Sequence, residues 1–250
     1  MLQNTLIIAL EIFPMKNLYL LLFAALLIGC SSSNSVNTNT ESGTDNPSGM
    51  NYSYLALGDS YTIGESVPES KRWPVQLVAR LNENGYKVAP PKIIAKTGWT
   101  TGNLLNAMRS ELNYTRKFDL VSILIGVNNQ YQGKSIEDYE EELREIFKLA
   151  LNHSKRREKG VFALSIPDYG VTPFGQENAE TIGAEIDEFN SVFKKVAAEF
   201  NVDFYNITPI SREAERDADL IAEDGLHPSG LMYRYWVDEI IDEIPQMLPQ

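Results

Sequence analysis

LVSILIG at residues 120–126 and VFALSIP at residues 161–167 are nearly continuous apolar runs that end at glycine or proline. A strand with one face in water alternates apolar and polar residues, whereas a strand buried on both faces is apolar along its length. Both runs therefore predict central strands of a parallel sheet that is covered on both faces.

Shorter apolar runs and longer amphipathic stretches alternate around these two strands. The predicted strands are Tyr54–Leu57, Lys92–Ala95, Leu120–Ile125, Val161–Ile166 and Val202–Tyr205. Apolar residues at helical spacing predict helices over residues 73–81, 104–112, from Ser135 onward, 182–200 and 231–244. Five strands that alternate with five helices indicate the α/β class, with a three-layer α/β/α fold around a five-stranded parallel sheet.

The composition limits the class of protein. With 250 residues, 43% of them hydrophobic, the chain is long enough for one large core. Its formal charge of −12 argues against a nucleic-acid partner, because binding a phosphate backbone depends on clustered lysine and arginine. One cysteine excludes an intrachain disulfide, and two histidines far apart in sequence argue against a histidine-based metal site. We expect neither a metal nor a cofactor.

The N-terminal region predicts export and membrane attachment. Lys16 precedes an apolar run, Leu18–Ile28, which is too short to span a bilayer, where about 20 residues are needed, but suits a signal peptide. The residues Leu-Ile-Gly-Cys at 27–30 resemble the bacterial lipobox, and this resemblance implies cleavage before Cys30 and lipid attachment to it. A buried helix that ends at an isolated cysteine is the alternative.

Three segments are expected along the chain. Residues 1–29 form the signal peptide, and Glu11 and Pro14 interrupt its beginning, which favours a true translation start at Met15. Residues 30–50 carry the lipidated cysteine and a polar tether too poor in apolar residues to fold. Residues 51–250 form the folded domain. The protein is then an exported bacterial lipoprotein, anchored to a membrane and facing the periplasm or the cell exterior.

Residues with useful chemistry follow the predicted strands. In parallel sheets the carboxyl ends of the strands share one edge, where ligands bind. Ser60 follows the first strand, Gly98 the second and Asn128 the third, while Asp224 and His227 precede the last helix. Singly, each is also an ordinary turn or cap residue. Together they supply acyl transfer: Ser60 as nucleophile, His227 as base and Asp224 as orienting acid. The N–H groups of Ser60 and Gly98 and the Asn128 amide provide an oxyanion hole.

GDS at 58–60, Gly98, GVNN at 126–129 and DGLHPS at 224–229 resemble the sequence blocks of the SGNH hydrolases, also called the GDSL esterase/lipase family. The resemblance extends over most of residues 52–244. It implies a flavodoxin-like fold, with the nucleophile on a short turn, and a serine esterase activity. The first block departs from the family pattern, because Tyr61 stands where the family has leucine.

Several other residues compete for roles in the site. Asp168 also follows a strand and is the competing candidate for the acid, although Asp224 has the spacing to His227 that the family pattern requires. His153 lies near the end of a helix beside basic residues, where a structural role is expected. Four aromatic residues close after strand ends are candidates for a substrate pocket, with packing at the rim as the alternative: Trp99, Tyr131, Tyr169 and Phe174.

The expected function is hydrolysis of a carboxylic ester, with a short acyl ester, an acetylated glycan or a lysophospholipid-type ester as substrate. The lack of a long lid insertion favours small or accessible acyl groups. Two alternatives stay open. The same site in an acyltransferase passes the acyl group to an alcohol other than water. A lipoprotein of another class keeps the fold without catalysis and binds glycan or protein. The sequence does not decide the oligomeric state.

Overall fold

A computed structural model describes Gly49 and residues 51–249 of the chain. The predicted signal peptide, the lipidation site Cys30 and the tether up to residue 48 lie outside these described residues and stay predictions. Within the described part, none of the helices combines the length and the apolar character needed to cross a bilayer.

Strands and helices alternate along the chain, as the apolar pattern predicts. The strands are β1 Tyr54–Gly58, β2 Lys92–Ala95, β3 Leu120–Leu124, β4 Val161–Leu164 and β5 Asp203–Tyr205. The helices are α1 Ser60–Ile63, α2 Trp73–Glu83, α3 Thr101–Glu111, α4 Val127–Tyr131, α5 Ile136–His153, α6 Ala179–Glu199, α7 Thr208–Arg212 and α8 Gly230–Ile240.

The five strands form one parallel sheet in the order β2-β1-β3-β4-β5. Helix α2 packs against α8, while α5 packs against α3 and α6, and helices cover both faces of the sheet. The predicted three-layer α/β/α fold is confirmed, and the strand order is that of flavodoxin-like proteins. The order reverses between β1 and β3, so a crevice opens at the carboxyl ends of these two neighbouring strands.

The two runs that predicted central strands form β3 and β4, each of which has a neighbouring strand on both sides in the sheet. Every residue of β1, β3 and β4 is buried, whereas the edge strands β2 and β5 are partly exposed. Continuous apolar sequence is therefore explained by burial on both faces, because each side chain of these strands meets a helix layer whichever way it points.

Strand β4 ends two residues before the predicted end at Ile166. The side chain of Asn190 takes the backbone hydrogen bonds of Ile166 that a neighbouring strand would otherwise make. Asn190 of α6 accepts a hydrogen bond from the N–H of Ile166 at 2.7 Å and donates one to its carbonyl at 3.0 Å. Similarly, β3 ends at Leu124, and Gly126 turns the chain into α4 with a φ of 131°. Three short helices, α1, α4 and α7, were not predicted from the spacing of apolar residues. Each has four or five residues and spans little more than one turn, so it shows no repeated apolar spacing.

The packing of α8 brings the C-terminal loop to the crevice. Ser229 caps this helix by accepting hydrogen bonds from the N–H groups of Leu231 and Met232. Trp236 of α8 packs edge-on to Tyr61 of α1 with ring centroids 6.5 Å apart. Tyr61 in turn packs edge-on to His227 at 5.7 Å, so the helix that starts at Ser60 and the loop that carries His227 share one aromatic contact.

Candidate active site

Ser60 is the first residue of α1 and follows β1 after a single intervening residue. Close packing restricts the chain here: a Cβ at Gly58 would lie 2.1 Å from Oγ1 of Thr62 and 2.4 Å from the carbonyl oxygen of Leu124. Asp59 caps the short helix, since its Oδ1 accepts a hydrogen bond from the N–H of Tyr61 at 3.1 Å. The strand-to-helix turn thus places the Ser60 hydroxyl at the crevice.

Asp224 and His227 form a hydrogen-bonded pair. The distance from Nδ1 of His227 to Oδ2 of Asp224 is 2.6 Å. Because an ionised carboxylate only accepts hydrogen bonds, Nδ1 carries the proton and Nε2 is the free basic nitrogen. The other oxygen, Oδ1, accepts the N–H groups of Leu226 at 3.0 Å and of His227 at 2.9 Å. The three-residue spacing therefore closes a tight turn that holds the carboxylate of Asp224 against the imidazole of His227.

The hydrogen bonds to Asp224 keep it ionised. Partial burial raises the pKa of this carboxyl, but hydrogen bonds from the Ser66 hydroxyl, the His227 backbone and ring, and the Leu226 backbone outweigh it. The pKa of Asp224 consequently lies well below its usual range. A carboxylate that stays charged stabilises an imidazolium whenever His227 takes a proton.

Ser60 and His227 line the same cavity. Both are nearly buried, with 5% and 8% of their surface exposed. Among the described residues, the hydrogen bonds do not include one between the Ser60 hydroxyl and the imidazole. Catalytic hydrogen bonds are often long before substrate binds and tighten in the complex. The arrangement thus brings Ser60 and His227 to one cavity without a hydrogen bond between their side chains.

Gly98 and Asn128 line the same cavity as Ser60. Gly98 has a φ of +79° and open space where a side chain would begin, so its backbone is exposed to the same cavity. Asn128, in the first turn of α4, donates one hydrogen bond from Nδ2 to the carbonyl of Trp99 at 3.0 Å. A side-chain amide nitrogen has two hydrogens. The second hydrogen of Asn128 is available to a ligand in the cavity.

The cavity has a volume of about 190 Å³. Tyr131, Tyr169 and Phe174 line it together with the apolar side chains of Val127 and Leu226. The three aromatic rings pack in a triangle with centroids 6.0–6.3 Å apart. A larger groove of about 320 Å³ between α6 and α7 contains none of these residues, so volume alone does not identify the site.

Trp99 does not line the cavity. Its carbonyl oxygen accepts the hydrogen bond from Nδ2 of Asn128, and the residue is half-buried. Of the four aromatic candidates, the structure therefore brings three to the cavity. Thr97, Val127 and Leu226 also line the cavity, and they were not predicted from the sequence. Their position next to Gly98, Asn128 and His227 was the available signal.

The two competing residues have structural partners. Asp168 is buried and accepts a hydrogen bond from Nε of Arg212 at 2.9 Å and from the N–H of Gly170 at 2.8 Å. His153, in the last turn of α5, has its Nδ1 2.9 Å from the carbonyl oxygen of Arg116. In the part of the chain that the structure describes, no group of three or more His, Cys, Asp or Glu side chains is placed to hold a metal ion.

Asp59 is fully buried, and its Oδ2 has no hydrogen-bond partner among the residues that the structure describes. Burial raises the pKa of Asp59 to about 7. Hydrogen bonds from the backbone N–H groups of Tyr61 and Asp59 lower this pKa but do not offset the effect of burial. The unfolded pKa of an aspartate is near 3.9. At pH values between this and the higher pKa of the folded state, the folded protein binds more protons than the unfolded chain. Stability is therefore lost as pH rises from about 4 to 7.

Asp59→Asn keeps the capping oxygen but cannot ionise, so it should remove this loss. The free energy of unfolding of the wild type, relative to Asp59→Asn, is expected to fall by about 2–3 kcal/mol between pH 5 and pH 8. Urea unfolding of both proteins at the two pH values measures it, and titration of all other groups cancels in the difference. A difference that stays constant with pH would show that Asp59 has no raised pKa.

Comparison with known proteins assigns the family. A family model described as the GDSL-like Lipase/Acylhydrolase family matches residues 56–235. The chain belongs to this family and is a carboxylic ester hydrolase. The resemblance of the GDS, GVNN and DGLHPS stretches to that family is thereby confirmed. No protein of curated function matches the chain significantly in sequence.

Solved structures of similar fold include three from bacteria. A lipase/acylhydrolase from Enterococcus faecalis superposes with a TM-score of 0.62 and 22% identity. The match covers 79% of this chain and 97% of the Enterococcus chain. The acetylxylan esterase Axe2 from Geobacillus stearothermophilus has a TM-score of 0.60 and 22% identity, covering 78% and 95%. The psychrotrophic esterase EstA from Pseudoalteromonas sp., inhibited by monoethylphosphonate, has a TM-score of 0.60 and 18% identity, covering 78% and 98%. At these identities the likeness shows the fold.

Proposed function

We propose that the protein hydrolyses esters of short carboxylic acids through a covalent acyl-enzyme on Ser60, with His227 as general base and Asp224 as its orienting acid. The observation that carries this proposal is the 2.6 Å contact between Asp224 and Nδ1 of His227, beside a cavity that the imidazole shares with Ser60. A nucleophile, a base and an orienting group in one place are what serine catalysis needs.

In the proposed mechanism, Oγ of Ser60 attacks the ester carbonyl while Nε2 of His227 takes its proton. The N–H groups of Ser60 and Gly98 and the Asn128 amide stabilise the oxyanion that forms. The intermediate collapses, and His227 gives the proton to the leaving alcohol. A water molecule then attacks the acyl-enzyme and loses its proton to the same nitrogen. The second tetrahedral intermediate collapses, the bond to Oγ breaks, and His227 returns the proton to Oγ as the acid is released.

The size of the cavity favours a short acyl group. A space of about 190 Å³ is smaller than the roughly 300–1,000 Å³ typical of sites that enclose a drug-sized ligand. Tyr131 and Phe174 leave 59% and 53% of their surfaces exposed, so they offer contact to groups outside the cavity rather than a deep tunnel. A long acyl chain would extend into solvent and gain little from burial.

A series of p-nitrophenyl esters tests this proposal. We expect kcat/KM to be highest for acetate to butyrate and to fall at least about tenfold by octanoate, because only the first carbons are buried. The Ser60→Ala variant supplies the matched background rate. A rate that rises steadily with chain length would contradict the short-acyl assignment. Products formed with a sugar alcohol present separate hydrolysis from acyl transfer, since transfer yields a new ester.

We also propose that the enzyme is held at a membrane by lipid on Cys30, which would place it in the periplasm or at the cell exterior. Support comes from the lipobox-like residues 27–30 after an apolar run. The mass of the mature N-terminal peptide tests this. A lipid-modified Cys30 at the N-terminus is the expected result, and an unmodified cysteine within a longer peptide contradicts it.

A further inference from the structure

The turn that follows α1 connects Ser60 to the acid of the pair. The carbonyl oxygen of Ser60 accepts the N–H groups of Gly64 and Glu65, which fixes the turn relative to the nucleophile. Two residues beyond Gly64, the hydroxyl of Ser66 donates a hydrogen bond to Oδ2 of Asp224 at 2.6 Å. Ser66 and Asp224 are 158 residues apart in sequence, so this contact joins two distant segments of the site.

The same turn also contacts the loop of Gly98. The hydroxyl of Thr97, the residue before Gly98, donates a hydrogen bond to the carboxylate of Glu65. Residues 64–66, which we call the brace turn, therefore connect the nucleophile with the acid on one side and with an oxyanion loop on the other. No other residue in the described part donates to Oδ2 of Asp224 besides His227 and Ser66.

The backbone of the brace turn is held in an unfavourable conformation. Ser66 has a φ of +62°, which is uncommon for a residue other than glycine. Gly64 also has a positive φ of 67°, and a Cβ there would lie 2.5 Å from Cγ of Arg72. Such strain persists only when surrounding contacts impose it, and it is concentrated at functional sites. The contact that this conformation makes possible is the one from Ser66 to Asp224.

We propose that Ser66 is a positioning residue for catalysis: its hydroxyl fixes the Asp224 carboxylate against the imidazole of His227. The inference rests on the proposed function of Ser60, His227 and Asp224. Ser66 does not line the cavity, so it acts through Asp224 and not on the substrate. By sharing Oδ2 with the imidazole, the hydroxyl also withdraws negative charge from that oxygen.

Few other titratable groups act on Asp224. Tyr61 of α1 and Tyr233 of α8 interact with its charge, and burial raises the pKa of both phenols well above their usual value. These two tyrosines stay neutral over the pH range of the reaction. Glu65 of the brace turn is engaged by Thr97. A change in pH dependence on removing the Ser66 hydroxyl therefore reports on the pair of Asp224 and His227.

Ser66→Gly is the variant of choice, because it removes the hydroxyl and relieves the positive φ, and so should fold at least as stably. We expect kcat to fall about tenfold with KM nearly unchanged, since a fixed charged hydrogen bond is replaced by water. The acidic limb of the kcat/KM profile should move to higher pH, because a more negative carboxylate favours the protonated imidazole. Asn201→Gly, at an exposed residue with a φ of +54°, is the matched control and should match the wild type.

A Ser66→Gly enzyme with kcat within twofold of wild type and an unmoved acidic limb would overturn the inference. A slower enzyme whose melting temperature drops while its pH profile stays unchanged would also overturn it, since Ser66 would then serve folding alone. Ser60→Ala, assayed alongside, distinguishes a failure of the proposed function from a failure of the role of Ser66. If Ser60→Ala retains full activity, the proposed function fails and the role of Ser66 fails with it. If Ser60→Ala is inactive and Ser66→Gly matches wild type, only the role of Ser66 fails.

Discussion

Replacing Ser60 with alanine is expected to lower kcat for p-nitrophenyl acetate by about 10⁴–10⁶-fold, the range found when a serine nucleophile is removed. Without Oγ no acyl-enzyme forms, and the oxyanion donors and the cavity can promote only direct attack by water. His227→Ala should cause a loss of similar size, because His227 is the proposed base and shares the cavity with Ser60. Initial rates under saturating substrate measure both variants.

The double variant Ser60→Ala with His227→Ala makes this test sharper. Residues that act as a unit have non-additive effects, so the double variant should be about as slow as either single one. His153→Gln is the matched control, because this histidine is bound to a backbone carbonyl far from the cavity. Single variants that retain full activity would show that the nucleophile lies elsewhere in the chain.

Removing the Asn128 amide should give the next largest loss. We expect Asn128→Ala to lower kcat by about 10²–10³-fold with little change in KM, since an oxyanion donor acts mainly in the transition state. The contact of Asn128 with the Trp99 carbonyl is 3.0 Å and is lost as well, so a melting temperature should accompany the rates. Asn128→Asp, which keeps the shape and adds a negative charge, should be at least as slow.

The control for Asn128 is Asn152→Ala, which removes an amide from the exposed end of α5 and should leave kcat unchanged. An Asn128→Ala enzyme that loses affinity while kcat is retained would contradict the oxyanion role. Such a result would mean that the amide holds the ground-state substrate and does not stabilise the transition state selectively.

The sheet and the main site candidates could be predicted from the sequence because both depend on short-range patterns. Apolar runs without alternation located the buried strands, and the residues just after them came together because parallel strands end at one edge. The pairing of Asp224 with His227 depends on a turn of three residues, which is also local. These features are local, whereas the approach of the His227 loop to Ser60 depends on the packing of α8.

Ser66 and Asp59 could not be assigned roles from the sequence. The contact of Ser66 with Asp224 depends on a positive φ at a serine, and no residue pattern indicates that conformation. Asp59 is completely buried by tertiary packing, which its place in a Gly-Asp-Ser turn does not indicate. Trp99 was selected for its place after a strand, whereas its partly buried side chain packs against the hydrophobic core.

The most direct test of the central claim is covalent labelling of the native enzyme with a fluorophosphonate probe, followed by mass spectrometry of its peptides. We predict one adduct per chain, on Ser60, with loss of esterase activity in proportion to labelling. Labelling should be abolished in Ser60→Ala and greatly slowed in His227→Ala, because the imidazole activates the hydroxyl. An adduct on another serine, or full activity in a protein labelled at Ser60, would contradict it.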